Sequence, residues 1–452
     1  ADHRPEPRDR FVSEHGGIAY EDIEQLCADK SIDCVYLATP TPMHPEHAIM
    51  ALESGKHVVV EKPMALNLEA ADRIIDAADR TGRVLLVGHS HSYDPPIAKA
   101  REIVASGRLG AVRMINNWYF NDWIYRPRLR DELDSSLGGG VTFRQGSHQF
   151  DIIRYIAGGR VRSVRAVTGA WDSDRPTEGM HVAFLEFENG VGATAVYSGY
   201  DHFHSIELTG ISEGGTEWNP AEAHAKARKA IRGIGSEETM KRAGGYGGSR
   251  NRRNSDEEPH QSFYGLTVIT CEHGDIRQSP DGLIIYGDDE REEIALPRGV
   301  TGRDLMISEL CDAVLAGKPA RHDGRWGKAN LEVCLATLES GRGDHRGAVL
   351  CGRLAYLPGV GVHRRHRRLD VGHRRLHHHG RHHQLREPRA GRRHPRALGE
   401  GGRHPRPAGR RADRQHDDAG LGVHLQRRDQ GDDPPGGAVP GERDAAGAPH
   451  RP

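Results

Sequence analysis

Residues 57–66 read HVVVEKPMAL. Three consecutive valines form a short β-branched apolar run, which predicts a strand buried on both faces, as in a parallel sheet flanked by helices. The run stops on Glu61, Lys62 and Pro63. In open parallel sheets, ligands bind beyond the carboxyl ends of the strands. An ammonium group at that edge can exchange a proton with a substrate hydroxyl. Glu61 is placed to orient it, and Pro63 to set the turn. A charged strand-to-loop junction without chemistry is the plain alternative.

Working outward, strand-like and helix-like stretches alternate over 1–95. DCVYLATP (33–40), KHVVV (56–60) and RVLLVGHS (83–90) read as strands. AYEDIEQLCADK (19–30), HPEHAIMALESG (44–55) and NLEAADRIIDAADRTG (67–82) read as helices, with Asn67 at an N-cap position. This alternation predicts βαβ units. From 96 to 341 the pattern changes to alternating apolar and polar runs, such as AVRMINNWYF (111–120) and HVAFLEFENGVGATAVYSGY (181–200). Asn189-Gly190 between two such runs is a hairpin signal. The expectation is an α/β plus α+β chain: a Rossmann-like parallel sheet, then a domain on an open, mainly antiparallel sheet. Residues 212–262 are polar and Gly-rich, and are expected to form a mobile insertion.

Residues 342–452 contain no Lys, Ile, Phe, Met, Trp, Asn, Ser or Thr, and are rich in Arg, His, Gly and Pro. Such composition is foreign to globular domains. It is expected to be disordered, or the product of a reading frame lost near Gly341 to Gly347. HHHGRHH (377–383) lacks a fixed ligand geometry, so no metal site is expected. The chain carries 63 Lys and Arg against 64 Asp and Glu, a formal net charge of -1, which gives no overall pull toward nucleic acid. Six scattered cysteines without a C-x-x-C pair suit reduced thiols and a cytoplasmic setting. No apolar run is long enough to span a bilayer.

Taken in order, ATPTPMHPEHAIMALESGKHVVVEKPMAL (38–66) and LGGGVTFRQGSHQFDIIRYIAGG (137–159) resemble the Gfo/Idh/MocA oxidoreductase family. NDWIYRPRLRDELDSSLGGGVTFRQGSHQFD (121–151) is similar to its branch of 4,5-dihydroxy-4,5-dihydrophthalate dehydrogenases. The resemblance spans roughly 1–341. It implies NAD or NADP as cofactor and hydride transfer from a hydroxyl-bearing carbon. Lys62 and His148 would be catalytic. Asp2, Thr39, Pro40, His44, Glu61 and Lys62 would face the cofactor, and Asp151 the substrate. Arg144 stands where many sugar-oxidising members carry Asp. A guanidinium pairs well with carboxylate, so Arg144, with Arg126 and Arg128, points to a carboxylated substrate. A sugar or inositol dehydrogenase and a non-catalytic remnant remain alternatives. The family's glycine-rich phosphate loop has no counterpart near the start, so the first βα unit is expected to be missing. The resemblance also implies a homo-oligomer, since the second sheet commonly makes subunit contacts in that family.

Overall fold

The computed structural model describes residues 1–210, 219–244, 260–342 and 349–352, which belong to one compact unit. Helices α1 (Pro5–His15) and α2 (Ile23–Ala28) lead into β1 (Cys34–Leu37). Then follow α3 (His44–Glu53), β2 (His57–Glu61), α4 (Leu68–Thr81) and β3 (Leu85–Gly88). The three strands are parallel in the order β1–β2–β3. Val58, Val59 and Val60 are at most 1% exposed, because helices cover both faces. Asn67 caps α4, its side-chain oxygen accepting from Ala70 N–H at 2.8 Å. The register pairs Leu37 with Val60 and Glu61 with Gly88. The loops carrying Thr39, Lys62 and His89 therefore leave the sheet at one edge.

Helix α5 (Pro95–Ala105) crosses to the second sheet. Its strands are β4 (Val112–Phe120), β5 (Val161–Gly169), β6 (Met180–Phe187), β7 (Gly192–Ser198), β8 (Leu266–Cys271), β9 (Gly274–Ser279), β10 (Gly282–Gly287), β11 (Arg291–Ala295) and β12 (Val349–Leu350). The order is β11-β10-β9-β8-β4-β7-β6-β5-β12, and only β4 with β7 is a parallel pair. The hairpin joining β6 to β7 turns at Asn189 and Gly190, where φ is 85°. Helix α6 (Ser147–Ala157) continues from a single π turn over Thr142–Gly146.

Two expectations change. Within the stretch read as a mobile insertion, 219–244 carries α7 (Pro220–Ala223), α8 (Lys226–Ile231) and α9 (Glu237–Gly244). Glu237 pairs with Arg175 at 2.7 Å and Lys241 with Glu132 at 2.6 Å, contacts that a polarity profile cannot show. Residues 211–218 and 245–259 lie outside the described residues. Within the segment read as tail, β12 pairs with β5, while 343–348 and 353–452 lie outside the description.

Helices α10 (Gly302–Ala316) and α11 (Gly324–Gly341) close the fold. Helix α11 packs directly on the parallel sheet. A Cβ at Gly327 would meet Val87 Cγ2 at 2.5 Å, so only glycine permits that approach. Just before it, the His322 carbonyl accepts from Val87 N–H at 2.8 Å.

Candidate active site

Beyond β2 the Lys62–Pro63 peptide is cis. The Lys62 ammonium donates to the Arg144 carbonyl at 2.9 Å. That carbonyl lies in the π turn, an irregularity often found at functional sites. Glu61 is anchored by the Tyr36 hydroxyl at 2.5 Å and also accepts from Lys62 N–H at 3.3 Å. The acid thus holds the turn through backbone and tyrosine.

His148 lies on the first turn of α6, 2% exposed. Its Nδ1 has no hydrogen-bond partner among the described residues. Burial, then the charges of Lys62, His91 and His89, push its pKa well below the usual imidazole range. The ring is neutral at physiological pH. His91 packs edge-on against it at 4.6 Å and stacks on Tyr264 at 4.2 Å. Asp94 bonds the His91 Nδ1 at 2.9 Å. Tyr264 shares its hydroxyl hydrogen between the Gln145 carbonyl and side-chain oxygen, at 2.9 and 2.7 Å. His89 is fully enclosed, and burial lowers its pKa to about 4.

Arg144 brings its guanidinium to the same edge. Nε donates to the Gly138 carbonyl at 3.0 Å and Nη2 to Asp131 at 3.3 Å. Its charge is felt by His44, whose pKa falls chiefly through burial. Lys62, His148 and Arg144 therefore gather around one locus. His44 is 1% exposed and bridges the Thr39 and Pro63 carbonyls at 2.7 and 3.0 Å. It ties the loop after β1, with Thr39 and Pro40, to the loop after β2, and this buried position replaces the expected cofactor-facing one.

Other expected residues are engaged elsewhere. Arg128 is 8% exposed, stacked on Trp123 at 4.0 Å and paired with Glu132 at 3.2 Å. Its charge is matched inside the protein. Arg126 pairs with Asp122 at 2.7 Å. Asp151 is fully buried; its Oδ1 accepts from the Trp326 indole N–H at 2.6 Å, which anchors α11, while its Oδ2 has no hydrogen-bond partner among the described residues. Asp2 is held by Arg4, backbone and side chain, at 2.9 Å. His89, His91 and Tyr264 were missed. The carboxyl-end rule that singled out Lys62 applies equally to GHSHSYD (88–94) after β3 and would have found the histidines; Tyr264 carries no local signal.

Comparison with known proteins agrees with this architecture. Residues 1–89 match an oxidoreductase family with an NAD-binding Rossmann fold, and 97–215 match the GFO/IDH/MocA C-terminal domain. The chain is 41% identical over 329 residues to the 1-carboxy-3-chloro-3,4-dihydroxycyclo hexa-1,5-diene dehydrogenase of Comamonas testosteroni, covering 71% of this chain and 82% of that one. It is 31% identical over 168 residues to the myo-inositol 2-dehydrogenase of Thermotoga maritima, 36% of this chain and 47% of that one. Among solved structures, a dehydrogenase from Bordetella bronchiseptica RB50 superposes with a TM-score of 0.71 at 42% identity, covering 75% of this chain and 89% of that chain. Levoglucosan dehydrogenase, in complex with NADH and levoglucosan, shares the fold at 18% identity and a TM-score of 0.59, covering 78% of this chain and 89% of that chain.

Fold and site define a two-domain, nicotinamide-dependent dehydrogenase that acts on small molecules. The chain belongs to the Gfo/Idh/MocA oxidoreductase family. Where the loops of the parallel sheet converge, the structure holds the Lys62 ammonium and His148, whose Nδ1 has no hydrogen-bond partner among the described residues. Among the described residues no glycine-rich strand-to-helix turn of the pyrophosphate-binding kind is present.

Proposed function

We propose that this chain oxidises a hydroxyl-bearing carbon of a cyclic, carboxylated substrate of the dihydrodiol type. The observation carrying the reading is the Lys62 ammonium, held by the Arg144 carbonyl beside a neutral, unpartnered His148. The nicotinamide ring, when bound, supplies the hydride acceptor. The Lys62 ammonium donates a hydrogen bond to the substrate hydroxyl and, after passing one of its own protons on, takes the hydroxyl proton as charge grows on oxygen. His148, which burial keeps unprotonated, is the neighbouring group with a lone pair for the proton that the ammonium releases. Two contacts leave part of the Arg144 fork, which has five N–H donors, for a substrate carboxylate. The Comamonas relative, by its name, acts on a carboxylated ring diol, which supports this assignment. Oxidation of such a diol gives a ketone that tautomerises to an aromatic diol, and this draws the reaction forward.

The test is NAD- and NADP-linked turnover of the full chain on a carboxylated cis-dihydrodiol and on myo-inositol. Arg144→Asp is expected to lower kcat/KM for the carboxylated diol roughly 10- to 100-fold, the worth of a charge-assisted contact, while sparing inositol. Equal losses on both would remove Arg144 from substrate recognition.

A homo-oligomer is part of the same proposal. Trp118, Val182 and Val167 are 43%, 43% and 61% exposed. They align across β4, β6 and β5, with Val196 of β7 between Trp118 and Val182. An apolar row of this kind on an open sheet face suits a second copy of the chain.

A further inference from the structure

Away from Lys62, a cavity of about 410 Å³ opens where the end of α6, the start of α11 and α5 meet. Five arginines line it: Arg101, Arg154, Arg160, Arg321 and Arg325. Arg325 is paired with Asp79 at 2.7 Å. The other four have no carboxylate within ion-pair distance among the described residues. Arg154, 3% exposed, donates to the Trp326 carbonyl at 3.1 Å and the Asn330 side chain at 3.4 Å. It also stacks on the Trp326 ring at 4.1 Å. Arg321 lies over Tyr155 at 4.9 Å, and Arg101 donates to the Ile156 carbonyl at 3.3 Å. The one carboxylate in the lining, Asp323, caps α11 by accepting from Trp326 N–H at 2.8 Å.

Guanidiniums repel one another, and burying one without a counter-charge is costly. Asp323 in the lining and Asp151 beneath Arg154 supply two negative charges, and four guanidiniums around one cavity still leave a surplus of positive charge that neutral carbonyls offset only in part. The α6 carboxyl end contributes a partial negative charge at Arg101, which does not reach a full counter-ion. Aromatic rings under Arg154 and Arg321 hold the planar groups while their edge N–H groups stay available for forked contacts. The volume lies in the usual range of small-ligand pockets, roughly 300–1,000 Å³.

We infer that this cavity is a second binding site, taking a small multivalent oxyanion such as a phosphate or polycarboxylate. It is separate from the proposed substrate site; Trp326, which donates to Asp151 one turn beyond His148 on α6, and Asn330, which accepts from Arg154 and donates to the Ser147 carbonyl, link the two. The site does not depend on the dehydrogenase reading.

The test is calorimetric titration of the full chain at low salt with sodium pyrophosphate and, separately, with citrate. Single-site saturable binding is expected for at least one, and the stronger of the two identifies the source of the anion. Arg160 and Arg321 are exposed, so Arg160→Gln and Arg321→Gln leave the fold intact. Each is expected to weaken binding about 10-fold, the worth of a charge-assisted bond. Lys62→Gln should leave it unchanged. A thermal-shift series is the second readout: the anion should raise Tm in the wild type, and the gain should vanish in the double variant. The inference is overturned by an absence of saturable binding, or by binding that the arginine variants retain and Lys62→Gln abolishes.

Discussion

Replacing Lys62 by Met keeps most of the apolar stem and removes the ammonium. Two consequences follow from its surroundings. The lost proton carrier is worth about 10²- to 10⁴-fold in kcat/KM, the usual range for a positioned general acid or base; at about 1.4 kcal/mol per tenfold, that is about 3–5.5 kcal/mol of barrier. Stability changes far less. The Arg144 carbonyl loses one donor at 2.9 Å, which costs about 1–2 kcal/mol. Lys62 is also the leading charge that depresses His148, after burial itself. Removing it should raise the His148 pKa while leaving it below the ordinary value. The assays are NADH formation on a carboxylated dihydrodiol, cofactor affinity by nicotinamide fluorescence, and NMR titration of the histidine ring protons. A variant with turnover within about threefold of wild type, well short of the range for a general base, would refute the role given to Lys62. An unmoved His148 titration would refute their electrostatic coupling.

Three further outcomes are expected. His89, His148 and His181 are fully buried, and burial is the leading cause that lowers all three, His89 to about 4 and His181 to about 3. Unfolding frees each to bind a proton near pH 6.5, so stability should be full above about pH 7 and fall on acidification, by about 2 kcal/mol each for His89 and His181 at pH 5; urea midpoints that match at pH 7.5 and 5, where each pH step below the free pKa costs about 1.4 kcal/mol, would contradict this. At Gly139 a Cβ would stand 2.5 Å from the Asp131 carbonyl and 2.6 Å from Glu132 backbone atoms, so Gly139→Ala should cost about 3 kcal/mol in chemical unfolding, because backbone gives way less readily than a side-chain tip. Trp118→Glu, on the exposed row of the second sheet, should lower the mass seen by light scattering to that of a single chain and leave the unfolding midpoint of the monomer intact.

Much of the architecture was legible because it is written locally. The valines of β2, the Asn67 cap and the Asn189-Gly190 turn each act over a few residues, so composition and period reveal them. The parallel sheet, the mainly antiparallel second sheet and the place of Lys62 beyond the end of β2 followed from those signals and one topological rule. Arginine roles were not legible. Arg126, Arg128 and Arg144 share one stretch of sequence, yet Asp122, Glu132 and Asp131 claim them differently. Asp151 read as a ligand contact, and nothing local announces that the indole of Trp326, 175 residues away in sequence, binds one of its two oxygens.

The sequence by itself determined the order of strands and helices, the apolar faces that must be covered, and an ammonium at the edge of a parallel sheet. Tertiary structure alone decided which charges are matched internally and which face a cavity. The reason is physical: a strand or cap is set by neighbours along the chain, whereas the fate of a charge depends on what packs across from it. Arg101, Arg160 and Arg321 come from three separate segments, and only folding brings them around one space.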